Sequence, residues 1–222
     1  MKRSYFLLIA SAVQFALLLP LARWANKHQH APIDIGITHL LQKKSPSLAR
    51  RMVKVLNRIF SSGAILNLLA VPLAAVLWSM RLRLEAGITL ATCWTSGLLR
   101  IGLKALVGRP RPSPLLVKVT KQSGGKSFPS GDVSSAVIVW GWLAALGLTS
   151  QEHNVGKKLL FSLPALPVAL VGPARIYLGD HWATDVLGGY LYGGGWLSLT
   201  LSFYLAVREY AGLRNLQGLE KS

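Results

Sequence analysis

The residues best suited to do chemistry lie in one short stretch, Arg-Ile-Tyr-Leu-Gly-Asp-His-Trp-Ala-Thr-Asp from Arg175 to Asp185. If the chain is helical from Trp182 onward, His181 and Asp185 stand one turn apart on the same face, and the carboxylate can orient the imidazole. An imidazole held in this way serves as a nucleophile or a general base. Arg175 arrives from the preceding segment with a planar, permanently charged fork that suits a phosphate. The plainer alternative is a solvated turn at a membrane surface, and this stretch alone is compatible with both.

Two further clusters lie earlier in the chain. Lys104-Ala-Leu-Val-Gly-Arg109-Pro110-Arg111-Pro112 brings three cations off the end of an apolar segment, and its prolines drive the chain out of helix. Snorkelling would explain one such cation, but three with two prolines fit that explanation less well. Ser127-Phe-Pro-Ser130-Gly131-Asp132 opens the next apolar segment. There Ser130 can cap, Gly131 permits close backbone approach, and the free N–H groups of a helix start form an anion site. Taken singly, this cluster reads as an ordinary cap.

The elements that must position these residues are apolar. With 222 residues the chain fits one domain, and 51% hydrophobic against 15% charged residues points to a membrane protein. The net charge of +17 does not indicate nucleic acid, because no basic stripe interleaved with aromatics stands clear of the apolar segments. Anionic lipid or a phosphorylated substrate accounts for it more economically. The single cysteine, Cys93, lies inside an apolar run, cannot form an intrachain disulfide and reads as filler.

Hydrophobic runs recur at 5–21, 61–79, 86–103, 133–149, 159–173 and 183–207, giving six expected transmembrane helices. The first follows Met1-Lys2-Arg3 as a signal peptide would, but it is too long and Leu19–Arg23 is a poor cleavage site. Pro164 and Pro167 in the fifth are tolerable within a bundle. Gly189 and Gly193 in the sixth imply close helix packing, and Trp24, Trp78 and Trp182 suit interfacial anchoring. Between the first two runs, residues 23–60 are polar and basic. Ser45-Pro46 starts an expected amphipathic helix with Leu48, Met52, Val55, Leu56 and Ile59 on one face and Arg50, Arg51, Lys54 and Arg58 on others, lying on the membrane.

The expected fold is therefore all-α: a polytopic bundle of about six transmembrane helices plus a basic surface helix, forming one integral-membrane domain over 1–222. An even number of spans places both termini on one side. The polar loop 23–60, the loop 104–132 and the turn at 175–180 share the other side. Lysine and arginine are more numerous on that side, which by the positive-inside rule would make it cytoplasmic. Several of those cations, however, are candidates to bind phosphate, and others belong to the expected surface helix.

Together the three clusters resemble the membrane-bound type 2 phosphatidic acid phosphatases, also called lipid phosphate phosphatases, whose fold is shared with vanadium haloperoxidases. The first family motif is Lys, six residues, Arg-Pro, matched by Lys104 with Arg111-Pro112. The second, Pro-Ser-Gly-His, is matched by Pro129-Ser130-Gly131, with Asp132 in the last place. The third, Ser-Arg, five residues, His, three residues, Asp, is matched by Arg175, His181 and Asp185, with Ala174 replacing the serine. The likeness extends from about the second span to the sixth.

The resemblance implies a phosphatase that needs no metal or other cofactor and acts on a lipid-linked phosphate, with membrane lipids as its surroundings and no nucleic-acid partner. His181 would form a phosphohistidine and Asp185 would hold its tautomer. Lys104, Arg111, Ser130, Gly131 and Arg175 would hold the phosphate. Family precedent sets the site on the extracytoplasmic face of an inner or plasma membrane, against the charge count.

Ala174 removes one hydroxyl donor, worth about 1 kcal/mol. Asp132 is the larger departure, since the family's histidine there protonates the leaving alkoxide. An aspartate does so only when it carries a proton, which burial or the substrate's own charge would favour. The implied substrates are an undecaprenyl diphosphate-like lipid, phosphatidic acid or phosphatidylglycerol phosphate, and a diphosphate would relax the need for a strong acid. The alternative is an impaired member that binds phospholipid. A small transporter is a poor third reading, since its main intramembrane charge, Arg100, lies near a span end.

Overall fold

The structure is a computed structural model and describes residues 2–43, 63–120, 123–149 and 165–219. Seven helices are present among them: α1 (Lys2–Lys27), α2 (Pro32–Lys43), α3 (Gly63–Ser79), α4 (Arg83–Val107), α5 (Gly131–Thr149), α6 (Ala165–Tyr177) and α7 (Ala183–Leu219). No strand occurs among the described residues, so the all-helical expectation holds.

The helix α7 organises the bundle, with α1 and α5 packed along it. Small and hydroxyl residues recur down one face of α1, where Ser4, Ser11, Leu18, Ala22 and Ala25 are buried. Ser11 Oγ donates to Gly195 O at 2.9 Å and Ser202 Oγ to Ser4 O at 2.7 Å, so the two helices run antiparallel. The opposite face of α1 exposes Tyr5, Phe6, Ile9, Val13 and Leu17. An outward apolar face on a helix about 39 Å long suits a bilayer rather than water.

The α5–α7 contact depends on glycine. A Cβ at Gly189 would lie 2.9 Å from Ser130 O, and one at Gly193 would lie 2.8 Å from Val137 Cβ and 2.9 Å from Ser134 O. The expected packing role of these two glycines is thereby met. Polar cross-links tie α4 to its neighbours: Arg100 donates to Ser134 and Ser135 at 3.0 and 2.8 Å, and Tyr192 donates to Ser96 O at 2.6 Å. Cys93 is buried in the apolar core, as expected.

Each of the six apolar runs falls on a helix over its described residues. Two helical stretches, Lys2–Lys27 and Gly131–Leu148, are long and apolar enough to cross a membrane, while Leu68–Ser79 and Val168–Tyr177 are apolar but shorter. In α4 and α7 the length suffices, but Thr, Ser, Gly and Tyr dilute the hydropathy. The expected surface helix beginning at Ser45 lies outside the described residues.

Two expectations need correction. Residues 32–43 form the helix α2 rather than loop, with Pro32 in the first turn and Asp34 and Thr38 buried on its inner side. Trp182 is not an interfacial anchor: it is fully buried, and its indole N–H donates to Pro110 O at 3.2 Å. Trp78 remains exposed, as an anchor should be.

Candidate active site

Three connections meet at one end of the bundle. The first follows α4, which ends at Gly108 in the left-handed conformation (φ 66°), its N–H bonded to Lys104 O at 3.0 Å. Pro110 and Pro112 then keep the chain extended past Arg109 and Arg111. The second leads into α5 through Phe128-Pro129-Ser130. The third is the turn from Leu178 to Trp182, where Gly179 has φ +71° and a Cβ would lie 2.5 Å from Lys118 O. Only glycine fits there. Asp180 N–H donates back to Arg175 O at 3.0 Å, which turns His181 inward.

His181 and Asp185 come together as their spacing predicts. His181 Nδ1 faces Asp185 Oδ2 at 3.7 Å, and both side chains are buried. Between them sits Ser127, whose hydroxyl donates to Asp185 Oδ2 and lies 3.2 Å from His181 Nδ1. With its one proton committed to the carboxylate, Ser127 Oγ can only accept from the imidazole, which places a proton on Nδ1. On the other side of the ring, Arg111 is 3.3 Å from Nε2 and has only donors to offer. Both neighbours therefore select the same tautomer, protonated at Nδ1 with the Nε2 lone pair facing a guanidinium. Burial lowers the pKa of His181 below the usual 6.5, Asp185 works against that shift, and Arg111 and Lys104 add to it.

The cations gather around this ring. Arg111 donates to Asp180 O at 2.9 Å and Gly124 O at 3.0 Å. Lys104 donates to Lys126 O at 2.7 Å and Ser127 O at 3.2 Å, and burial followed by Arg111 lowers its pKa to about 8. Arg175 lies between two carboxylates, Nε 3.2 Å from Asp132 Oδ2 and NH1 3.0 Å from Asp180 Oδ2. Asp180 also accepts from Ser123 at 3.2 Å. A Cβ at Gly131 would be 3.6 Å from Arg100 Nε and 3.9 Å from Lys104 Cε, which places the start of α5 beside two cations. A cavity of about 470 Å³ adjoins the group, lined among others by Arg111, Ser123, Lys126, Gly179 and Asp180.

Ser130 differs from expectation. Its backbone N–H is taken by Asp185 O at 2.9 Å, so it is not available to an anion. Its hydroxyl is buried and makes no cap bond; it has no hydrogen-bond partner among the described residues. A donor left over in this way beside a cluster of cations is suited to an oxygen-rich ligand.

A family model for the PAP2 superfamily matches residues 85–209, from the start of α4 into α7. The chain belongs to the PAP2 superfamily. It is 29% identical over 182 residues to phosphatidylglycerophosphatase B of Bacillus subtilis (strain 168), across 81% of this chain and 86% of that protein. It is also 30% identical over 115 residues to the lipid A 1-phosphatase of Rhizobium etli, across 50% of this chain and 46% of that one. The solved structure of a transmembrane PAP2-type phosphatidylglycerolphosphate phosphatase from Bacillus subtilis superposes with a TM-score of 0.75 at 24% identity, covering 89% of this chain and 96% of its own. Phosphatase activity and the transmembrane PAP2 fold accord with these likenesses and with the motifs.

Three residues of this candidate site have no role that the sequence alone assigns. Ser127 lay inside a motif cluster, but its partners are far along the chain. Arg109 stood among the motif cations yet turns away from the cavity, fully buried against Asp185 Oδ1 at 2.9 Å and Asp34 Oδ2 at 2.6 Å. Asp34 comes from α2 and also accepts from Thr184 N at 2.9 Å. The available signals were Arg109 immediately after the helix-ending Gly108, and one acidic residue in an otherwise apolar and basic segment.

Proposed function

We propose that this chain is an integral-membrane lipid phosphate phosphatase working through a phosphohistidine on His181. The observation that carries this reading is the imidazole tautomer: Ser127 and Asp185 hold Nδ1, and the Nε2 lone pair points toward Arg111. In the first step Nε2 attacks phosphorus, the P–N bond forms and the P–O bond to the lipid breaks. Asp132, in its protonated form, gives its proton to the departing oxygen. In the second step water attacks phosphorus, its proton goes to Asp132, the P–N bond breaks and inorganic phosphate leaves. Lys104, Arg111, Arg175, Ser130 Oγ and the Gly131 N–H stabilise the charge on the equatorial oxygens. No step calls for a metal.

The chain is read as one integral-membrane unit crossing an inner or plasma membrane six times, over the stretches given above, with the site on the extracytoplasmic face. The candidate substrates are phosphatidylglycerol phosphate, phosphatidic acid and a polyprenyl diphosphate. The names of the Bacillus and Rhizobium relatives support a phosphate borne on a lipid.

A second reading has support in the Asp132–Arg175 ion pair, which occupies one edge of a guanidinium meant for phosphate. Under it the chain binds phospholipid without efficient turnover. Purified protein in detergent with a chelator, offered each lipid in turn, separates the two. Phosphate release that is lost in His181→Ala, together with an acid-labile phosphoenzyme, supports the enzyme. Full activity in His181→Ala, or activity only with added magnesium, would sink the mechanism. Activity gained only on Asp132→His would favour the binding protein.

A further inference from the structure

Behind the imidazole lies a set of three buried charges that touch no phosphate in the mechanism above: Asp34, Arg109 and Asp185, each without solvent exposure. Arg109 uses its whole fork. NH1 donates to Asp185 Oδ1 at 2.9 Å and to Thr184 Oγ1, NH2 to Asp34 Oδ2 at 2.6 Å and His28 O at 3.0 Å, and Nε to Gln29 O at 3.4 Å. The indoles of Trp24 and Trp182 lie 6.0 and 5.9 Å from its guanidinium carbon. Asp34 accepts at both oxygens, from Thr184 N at 2.9 Å and from Thr184 Oγ1 at 2.8 Å as well as from Arg109.

We infer that Asp34 and Arg109 are positioning residues for the nucleophile, fixing Asp185 behind His181, Arg109 from the connection after α4 and Asp34 from α2, a helix that lies outside the motifs. The inference rests on the phosphohistidine reading. With Oδ1 of Asp185 held by Arg109, only Oδ2 remains for the imidazole side, where Trp182 N donates at 2.9 Å and Ser127 donates as well. The carboxylate cannot rotate without breaking a charged bond. Asp34 holds the far edge of Arg109 and also pins Thr184, the residue adjoining Asp185.

The charges give the pair a second effect. One guanidinium between two carboxylates is shared, and Asp34 offsets part of the positive charge that Asp185 experiences. Removing the charge of Asp34 directs more of Arg109 onto Asp185, which then supports a protonated imidazole less well. The other charged groups around His181 are unchanged by that substitution: Arg111 and Lys104 from α4 and its loop, Asp185 of α7, and Asp132, Arg175 and Asp180 across the cavity.

The test uses the full chain in detergent with a water-soluble phosphomonoester as probe. Asp34→Asn keeps the shape and the bond from Thr184 N. It is expected to lower kcat about tenfold or more, leave KM unchanged and move the acid limb of the kcat profile to lower pH, as loss of an outer partner of a working imidazole does. Asp34→Glu keeps the charge but displaces it, so kcat should fall while the acid limb stays in place. A wild-type kcat in both variants overturns the inference, as does a loss confined to KM or thermal stability. If Asp34→Asn does not fold, the Glu variant still decides, because wild-type kcat or a shifted limb in it contradicts the geometry. His181→Ala run in parallel separates the two readings: activity retained there overturns the nucleophile itself, whereas activity lost there with normal Asp34 variants overturns only the positioning role.

Discussion

His181 Nδ1 lies 3.2 Å from Ser127 Oγ, closer than the 3.7 Å to the carboxylate of Asp185 that it faces. The serine therefore forms the short path between imidazole and carboxylate. Ser127→Ala removes that path and leaves Nδ1 facing Asp185 Oδ2 across 3.7 Å, longer than a hydrogen bond. The expected loss in kcat is tenfold to hundredfold, about 1–3 kcal/mol, with KM unchanged. Steady-state kinetics on a soluble phosphomonoester would show it, and an unchanged kcat would assign the orienting role to Asp185 alone.

Asp132 and Arg175 form the second relationship with a measurable consequence. If Asp132 protonates the leaving oxygen, Asp132→Asn should cost about 10²–10⁴-fold in kcat for an alkyl phosphate, whose leaving group needs the proton. For a diphosphate or aryl phosphate the loss should be much smaller. KM should fall in both cases, because the substitution replaces the charged partner of Arg175 Nε with a neutral amide and leaves more of the guanidinium's charge for a phosphate oxygen. Equal losses on good and poor leaving groups would remove Asp132 from the chemistry.

How much of this arrangement the sequence reveals depends on how far apart the partners lie. His181 and Asp185 are one helical turn apart, and that spacing alone brings them together. Gly189 and Gly193 likewise announce a packed face. Ser127 reaches His181 and Asp185 across more than fifty residues, and Asp34 reaches Thr184 across 150. No local periodicity encodes such contacts. Helix α2 is hard to read locally because Ile33, Ile35 and Ile37 alternate as in a strand while Gly36 and Thr38 dilute a helical pattern. Its signals were Pro32 at the start, Asp34 in the first turn and Lys43 in the last. A tryptophan at a span end usually meets lipid headgroups, whereas at Trp182 the site itself closes over the ring.

The glycine seam between α5 and α7 gives a prediction about stability. Gly189→Ala drives a methyl to 2.9 Å from Ser130 O and 3.0 Å from Val133 Cβ. Neither neighbour is the end of a flexible side chain, so the backbone must shift, at a cost of about 1–3 kcal/mol. Thermal unfolding in detergent should show a lower midpoint. Since Ser130 also bonds to Asp185 O, activity should fall below what the lost stability explains. Gly87, where a Cβ would meet nothing within 4 Å, is the matched control and should tolerate alanine.

The pH profile tests Lys104 and His181 together. The apolar stretch 86–103 ends just before Lys104, so its ammonium sits among the site loops, and burial with Arg111 nearby lowers its pKa to about 8. A phosphate-binding lysine works when charged. Activity should therefore be sustained below that value and decline as pH rises through it. In the proposed mechanism His181 works when neutral, and its pKa is depressed below 6.5 mainly by burial, so its contribution is present at neutral pH and is lost only as pH falls into the acid range. With an aryl phosphate or a diphosphate as substrate, whose leaving group depends little on the proton from Asp132, the result is a bell whose alkaline limb belongs to Lys104. Lys104→Arg replaces that group with one that does not deprotonate below about pH 12. If the assignment holds, the alkaline limb should move up by more than a unit while the acid limb stays put, even though the bulkier guanidinium lowers the plateau. An alkaline limb unchanged in Lys104→Arg would assign that ionisation to another group and remove the lysine from the phosphate site.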